Sequence, residues 1–225
     1  MTPATTFKPA ERAHTSFLAA AEKRTLIWIA QRLPAWVNSD HLTALGFIAL
    51  LGAGACYWWS ATNPPMLLAV IVLLAINWFG DSLDGTLARV RNNQRPRYGF
   101  YIDHILDALG MSALMGGLIL SGYISPAIAA GFLIVYLLLS IEIYLATYSI
   151  GKFQLSHWNF GPTELRILLV IGNLFLLRNP YANIAGNKYL LFDIGFLIGT
   201  IGVGLVLLQA VIAHTRQLYR EETKS

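Results

Sequence analysis

Long apolar stretches alternate with short polar or turn-rich ones along most of the chain, and their lengths predict membrane-crossing helices. Six run roughly over 42–59, 66–83, 101–120, 126–148, 165–177 and 189–213. A crossing takes about 20 residues, so the fifth is short and needs Arg166 to snorkel at its start. Pro64-Pro65, the stretch from Gly122 to Pro126, and Asn179-Pro180 mark turns on one side. Ahead of the first span, Leu26, Ile29, Ala30, Leu33 and Val37 recur at helical spacing, with Lys23, Arg24 and Arg32 among them. This predicts an amphipathic helix lying on the inner leaflet, with a plain juxtamembrane connector as the alternative. The expected architecture is all-α and polytopic. An N-terminal interfacial segment (1–41) precedes a six-helix transmembrane domain (42–213) and a tail (214–225).

Composition agrees with that pattern. Charged residues make up only 12% of the 225 and hydrophobic ones 56%, whereas a soluble domain carries roughly a quarter charged residues. Cys56 is the sole cysteine, which excludes a disulfide framework or a cysteine-based zinc site within one chain. Glu11, Arg12, His14, Glu22, Lys23 and Arg24 precede any long apolar run, so the N-terminus does not read as a signal peptide.

The sequence pI is near 9.3, but the basic residues are scattered at helix ends. Anionic headgroups explain them better than nucleic acid, which is not an expected partner. Lys8, Arg12, Lys23, Arg24, Arg32, Arg89, Arg91, Arg95, Arg97, Lys152, Arg166, Arg216, Arg220 and Lys224 fall on one side, and only Arg178 and Lys188 on the other. That bias predicts both termini, and the loops between spans two and three and between four and five, on the cytoplasmic side. In a bacterium the membrane is the inner or plasma membrane. His157 and Trp158 read as interfacial residues.

Chemistry concentrates between spans two and three. Asp81 and Asp84 are three apart and Asp103 and Asp107 four apart, spacings that put each pair on one helix face. Two antiparallel neighbours joined by a short loop bring all four carboxylates to one membrane level. Crowded carboxylates in a low dielectric must be neutralised, by protons or by cations. Hard oxygen ligands suit Mg²⁺ or Mn²⁺, and two such ions can clamp a displacement at phosphorus. Gly85 and Ala88 share the helical stripe of Asp81 and Asp84, and their small size leaves room for a phosphorylated group. The bland alternative is an ion-pair network with Arg89, Arg91, Arg95 and Arg97.

The order Asp-x-x-Asp-Gly-x-x-Ala-Arg, nine residues, Gly-x-x-x-Asp-x-x-x-Asp resembles the signature of the CDP-alcohol phosphotransferase (CDP-alcohol phosphatidyltransferase) family. Asp81, Asp84, Gly85, Ala88, Arg89, Gly99, Asp103 and Asp107 fill every fixed position. The resemblance implies an enzyme of phospholipid biosynthesis that moves a phosphoryl-alcohol group from a CDP-linked donor to an acceptor hydroxyl and releases CMP. The donor is CDP-diacylglycerol or a CDP-linked head group, and the acceptor is an alcohol in a lipid environment.

By the same resemblance, Asp81, Asp84 and Asp103 hold two divalent ions, and Asp107 shares in this and serves as general base. Gly85 and Ala88 line the cytidine pocket, Arg89 orients carboxylates or phosphate, and Gly99 belongs to the nucleotide site. Entering span one, Ser39-Asp40-His41-Leu42-Thr43 matches the family pattern at Thr43 alone. A homodimer is suggested by the resemblance and by nothing in the residues themselves.

Other polar positions admit two readings. Glu142 either faces the polar cavity and contacts the acceptor, or pairs with Arg166, Tyr144 or Tyr148. The stretch from Gly161 to Arg166 either serves as a helix start or brings Arg166 to a phosphate. His104 either supports Asp103 or is an ordinary interface histidine. Two rival functions remain. A prenyltransferase of the aspartate-rich kind draws on Asn77, Asp81 and Asp84, but the later half offers only Glu142, Glu164 and Asp193 for its second motif. An ion or proton transporter leaves Gly85, Ala88, Arg89 and Gly99 unexplained.

Overall fold

The computed structural model of the protein describes residues 17–150 and 162–223. Lys152, His157 and Trp158 lie outside them. Among the described residues, five helices are long and apolar enough to cross a membrane: α2 (Ser39–Ser60), α3 (Met66–Val90), α4 (Pro96–Ser121), α5 (Pro126–Ile150) and α7 (Leu191–Glu222). Two further helices are α1 (Phe17–Ala30) and α6 (Pro162–Leu176). At 15 residues, α6 reaches about 22 Å, short of a hydrocarbon core of about 30 Å. Five crossings are thus supported among the described residues, and the fifth expected span, 165–177, falls in α6, whose described length is less than a full crossing.

Local chemistry sets the boundaries. Asn38 and His41 form a reciprocal capping box at the start of α2. Pro96 occupies the first turn of α4, and Gly122 ends that helix in the left-handed conformation at φ 75°. Before α5, the Ser125 N–H and hydroxyl both donate to the Asp193 carboxylate of α7, at 2.6 Å each.

Helix α2 is the axis of the bundle, and α3 and α4 each pack along it. Glycines make the close approach possible. A Cβ on Gly80 would sit 2.6 Å from the Leu42 carbonyl oxygen, and one on Gly117 would overlap the Gly54 carbonyl outright. Leu50, Ala53, Tyr57, Leu74, Leu114 and Leu118 fill the core between the three helices. The Asn173 side chain of α6 donates to the buried Tyr57 hydroxyl at 2.9 Å. Helices α5 and α7 pair with each other and leave Ile134, Leu145, Ile198 and Leu205 more than half exposed, a surface matched to acyl chains.

Two regions differ from the sequence expectation. The last span was expected from residue 189, yet Tyr189 and Leu190 belong to an antiparallel hairpin of β1 (Tyr181–Ile184) and β2 (Asn187–Leu190). Ala185 and Gly186 turn it with φ of 50° and 84°, the two positive values that a type I′ turn requires. A four-residue strand beside an apolar helix carries no periodicity that separates it from the helix. At its other end α7 runs on to Glu222, through the stretch expected as a tail.

Helix α1 ends at Ala30, so Leu33 and Val37 lie past it, on either side of Pro34. Its apolar face is not bare. Leu26 and Ala30 are buried against Leu42, Leu83 and Leu87, while Trp28 and Trp36 are exposed. The amphipathic pattern thus records packing against the end of α3.

Candidate active site

The last turns of α3 and the first turns of α4 face each other across a gap that α2 walls. Both helices lean on α2 more than on one another, so the carboxylates meet across open space rather than along a packed seam. Asp81 from α3 and Asp103 and Asp107 from α4 each offer an oxygen, and all of these lie within 4.8 Å of one another. The cleft is also lined by Thr43, Gly46, Phe47, Leu50, Asn77, Asp84 and Leu106. The cleft holds about 20 Å³, room for a water or a bare cation.

Asp84 borders this cleft but stands outside the close trio. Its Oδ2 accepts from the Thr43 hydroxyl at 2.6 Å and its Oδ1 from the Gly85 N–H at 2.5 Å. Its backbone carbonyl accepts from the Ser39 hydroxyl at 3.0 Å. Each carboxylate oxygen has a further lone pair, so Asp84 is held in place with acceptor capacity left over. Thr43, the one match in the segment entering α2, is thereby the residue that fixes Asp84.

The arginine beside the aspartates comes from α6. Arg166 Nη2 lies 2.8 Å from Asp81 Oδ2, and both groups are largely shielded. A cation already paired with one member of the carboxylate trio is placed to meet an anionic oxygen there. The arginines of the 91–95 link do other work. Arg91 donates to backbone carbonyls before α2, and Arg95 pairs with Asp40. That pairing gives the half-exposed Asp40 carboxylate an opposite charge. Arg89 donates to the Thr86 hydroxyl at 3.1 Å and is exposed, as is the start of α4. A Cβ on Gly85 would come 3.5 Å from the Arg89 guanidinium, whereas one on Gly99 would meet nothing. Ala88 is partly buried.

Glu142 does not meet Arg166 or a tyrosine. Its Oε1 lies 2.6 Å from His214 Nδ1 of α7, and its Oε2 is buried with no hydrogen-bond partner. The last span was expected to end one residue short of His214, so this pair was invisible in the sequence. His104 Nδ1 lies 2.6 Å from the Phe100 carbonyl and 3.8 Å from Asp103. Its ring packs against Phe100 and Tyr144, which makes it chiefly an α4–α5 interface residue. Asn77, which only the rival prenyltransferase reading grouped with Asp81 and Asp84, lines the cleft. Its amide donates to the Gly46 carbonyl at 2.9 Å, and its Oδ1 has no partner. An asparagine in an otherwise apolar helix, one turn before Asp81, was the available signal.

The donor set is entirely hard oxygen, three carboxylates close enough to share a cation, and it fits divalent Mg²⁺ or Mn²⁺ chemistry better than any softer metal. A comparison with individually curated proteins gives no match. The family model described as CDP-alcohol phosphatidyltransferase matches residues 36–212.

Proposed function

Because the chain belongs to the CDP-alcohol phosphatidyltransferase family, we propose that its cleft transfers a substituted phosphate from a CDP-linked donor to an acceptor hydroxyl with two divalent cations. Members are transferases of substituted phosphate groups in phospholipid synthesis, and this one is an integral membrane protein. The observation that carries the proposal is the meeting of Asp81, Asp103 and Asp107 within 4.8 Å. Cations bound there supply charge neutralisation for the donor diphosphate.

This chain's residues do the rest. Asp81, Asp103, Asp107 and the tethered Asp84 hold the ions. Arg166 binds a phosphate oxygen of the donor. Asp107 accepts the proton of the acceptor hydroxyl as the new oxygen–phosphorus bond forms. The bond from phosphorus to CMP breaks, and CMP carries that electron pair away. Gly85 and Ala88 leave the cytidine room, Thr43 keeps Asp84 facing the cleft, and Arg89 and Gly99 complete the nucleotide side. Glu142 is engaged with His214 and acts structurally rather than on the acceptor.

In this reading residues 42–213 form the catalytic unit, with α6 as a sixth, short crossing. Of the N-terminal segment 1–41, the described part from Phe17 onward lies on the cytoplasmic surface, where Trp28 and Trp36 meet lipid. The cleft and both termini face the cytoplasm, and a homodimer would carry two independent clefts. The deciding experiment incubates purified protein with a panel of CDP-linked donors and acceptor alcohols and follows CMP by mass spectrometry, with and without Mg²⁺. Metal-dependent CMP release is the expected result. Pyrophosphate release from a prenyl donor, or cation flux in liposomes without any nucleotide, would overturn it.

A further inference from the structure

Two residues beyond the aspartate-containing stretch of α3, the Arg91 side chain turns back and grips the backbone that leads into α2. Its Nη2 donates to the carbonyls of Leu33 and Pro34, at 2.9 and 3.0 Å. Its Nη1 donates to those of Val37 and, at 3.4 Å, Ala35. Four carbonyls on one guanidinium use both arms of a planar fork. A lysine ammonium, a compact point charge, cannot reproduce that geometry. The gripped residues follow α1, which ends at Ala30, and Pro34, having no N–H, cannot continue that helix.

The same backbone continues directly into the site. Six residues past Val37, the Thr43 hydroxyl holds Asp84 Oδ2, and between them Ser39 holds the Asp84 carbonyl. Arg95 and Asp40 add a further tie on the exposed side. Residues 33–43 therefore form a strap across the end of α3, fastened at one end by Arg91 and at the other on Asp84.

We propose that Arg91 is a positioning residue for Asp84, acting through this strap to set where the Thr43 and Ser39 hydroxyls stand. This rests on the cleft's being a divalent-metal site. A group that orients a metal-binding carboxylate typically changes metal affinity by about 10–100-fold when removed, and Arg91, one step further out, is expected to change it by about five- to tenfold.

The test measures Mn²⁺ affinity of the purified, substrate-free protein by electron paramagnetic resonance, alongside CMP release. Arg91→Ala and Arg91→Lys should both weaken Mn²⁺ binding by about five- to tenfold, with thermal melting shifted little for the lysine variant. Combined with Thr43→Val, Arg91→Lys should add nothing, because its effect already passes through Thr43. If Arg91 merely contributes charge at the membrane surface, Arg91→Lys binds Mn²⁺ like the parent, and the proposal fails. Independent, additive losses in the double variant defeat it equally. A parent protein that binds no Mn²⁺, with Asp103→Asn unchanged, overturns the metal reading together with this one. Normal parent binding with normal Arg91→Lys binding overturns the strap alone. Should Arg91→Ala fail to fold, the lysine variant carries the test by itself.

Discussion

Replacing Asp107 by Asn separates stability from activity in opposite directions. Asp107 has two carboxylate neighbours, Asp81 and Asp103, with oxygens inside 4.8 Å. Two unit charges at that distance repel by about 3.5 kcal/mol at an effective dielectric of about 20. Arg166 on Asp81 and partial solvent access offset much of this, leaving a net strain of order 1–3 kcal/mol in the metal-free protein. Asparagine has the same shape without the charge, so the metal-free variant should be the more stable form. For a chain of this size, 1 kcal/mol corresponds to about 2–4 °C in Tm, which puts the expected rise at roughly 2–12 °C by scanning fluorimetry in detergent with chelator. Millimolar Mg²⁺ should raise the parent's Tm and raise the variant's less, since binding stabilises only what it binds. CMP release should fall by at least about 100-fold, the usual scale for loss of a general base, while donor binding stays mostly intact. A variant that turned over near the parent rate would remove Asp107 from the chemistry. A metal-free Tm below the parent's would mean that the three carboxylates do not strain one another as their separation requires.

Other substitutions probe single contacts. Arg166→Gln removes the cation on Asp81 Oδ2; the KM for the CDP donor should rise about tenfold or more, and Mn²⁺ affinity should hold or tighten because Asp81 gains free charge. Loss of both affinities together would make Arg166 a scaffold for Asp81 instead. Glu142→Ala breaks the 2.6 Å bond to His214 between α5 and α7 and should cost about 1–2 kcal/mol, seen as a lower Tm with kcat retained; lost turnover at unchanged Tm would return Glu142 to the acceptor site. Gly80→Val places a branched side chain where even a Cβ meets the Leu42 carbonyl at 2.6 Å, so α2 and α3 must part, and folded yield should drop sharply. Asn77→Leu leaves the Gly46 carbonyl without its donor and should destabilise by about 1–3 kcal/mol.

What could be read beforehand follows from which interactions are periodic in sequence. Asp81, Asp84, Asp103 and Asp107 were legible because helical spacing alone puts each pair on a face, and a short link returns the chain to the same level. Membrane spans were legible because lipid imposes a length and forbids charge. The contacts that complete the site have no such signature. Arg166 reaches Asp81 from 85 positions away, and Thr43 reaches Asp84 from 41; both depend on α6 and α2 arriving beside α3, which glycine-lined crossings decide and hydropathy does not. The apolar stripe of α1 shows the same limit from the other direction. Its spacing correctly announces a buried face, but burial against lipid and burial against Leu83 and Leu87 place identical demands on Leu26 and Ala30. Only specific contacts tell the two apart: Leu26 and Ala30 pack on Leu83 and Leu87, and the Arg91 fork ties residues 33–37 to the end of α3 by geometry rather than by hydrophobicity.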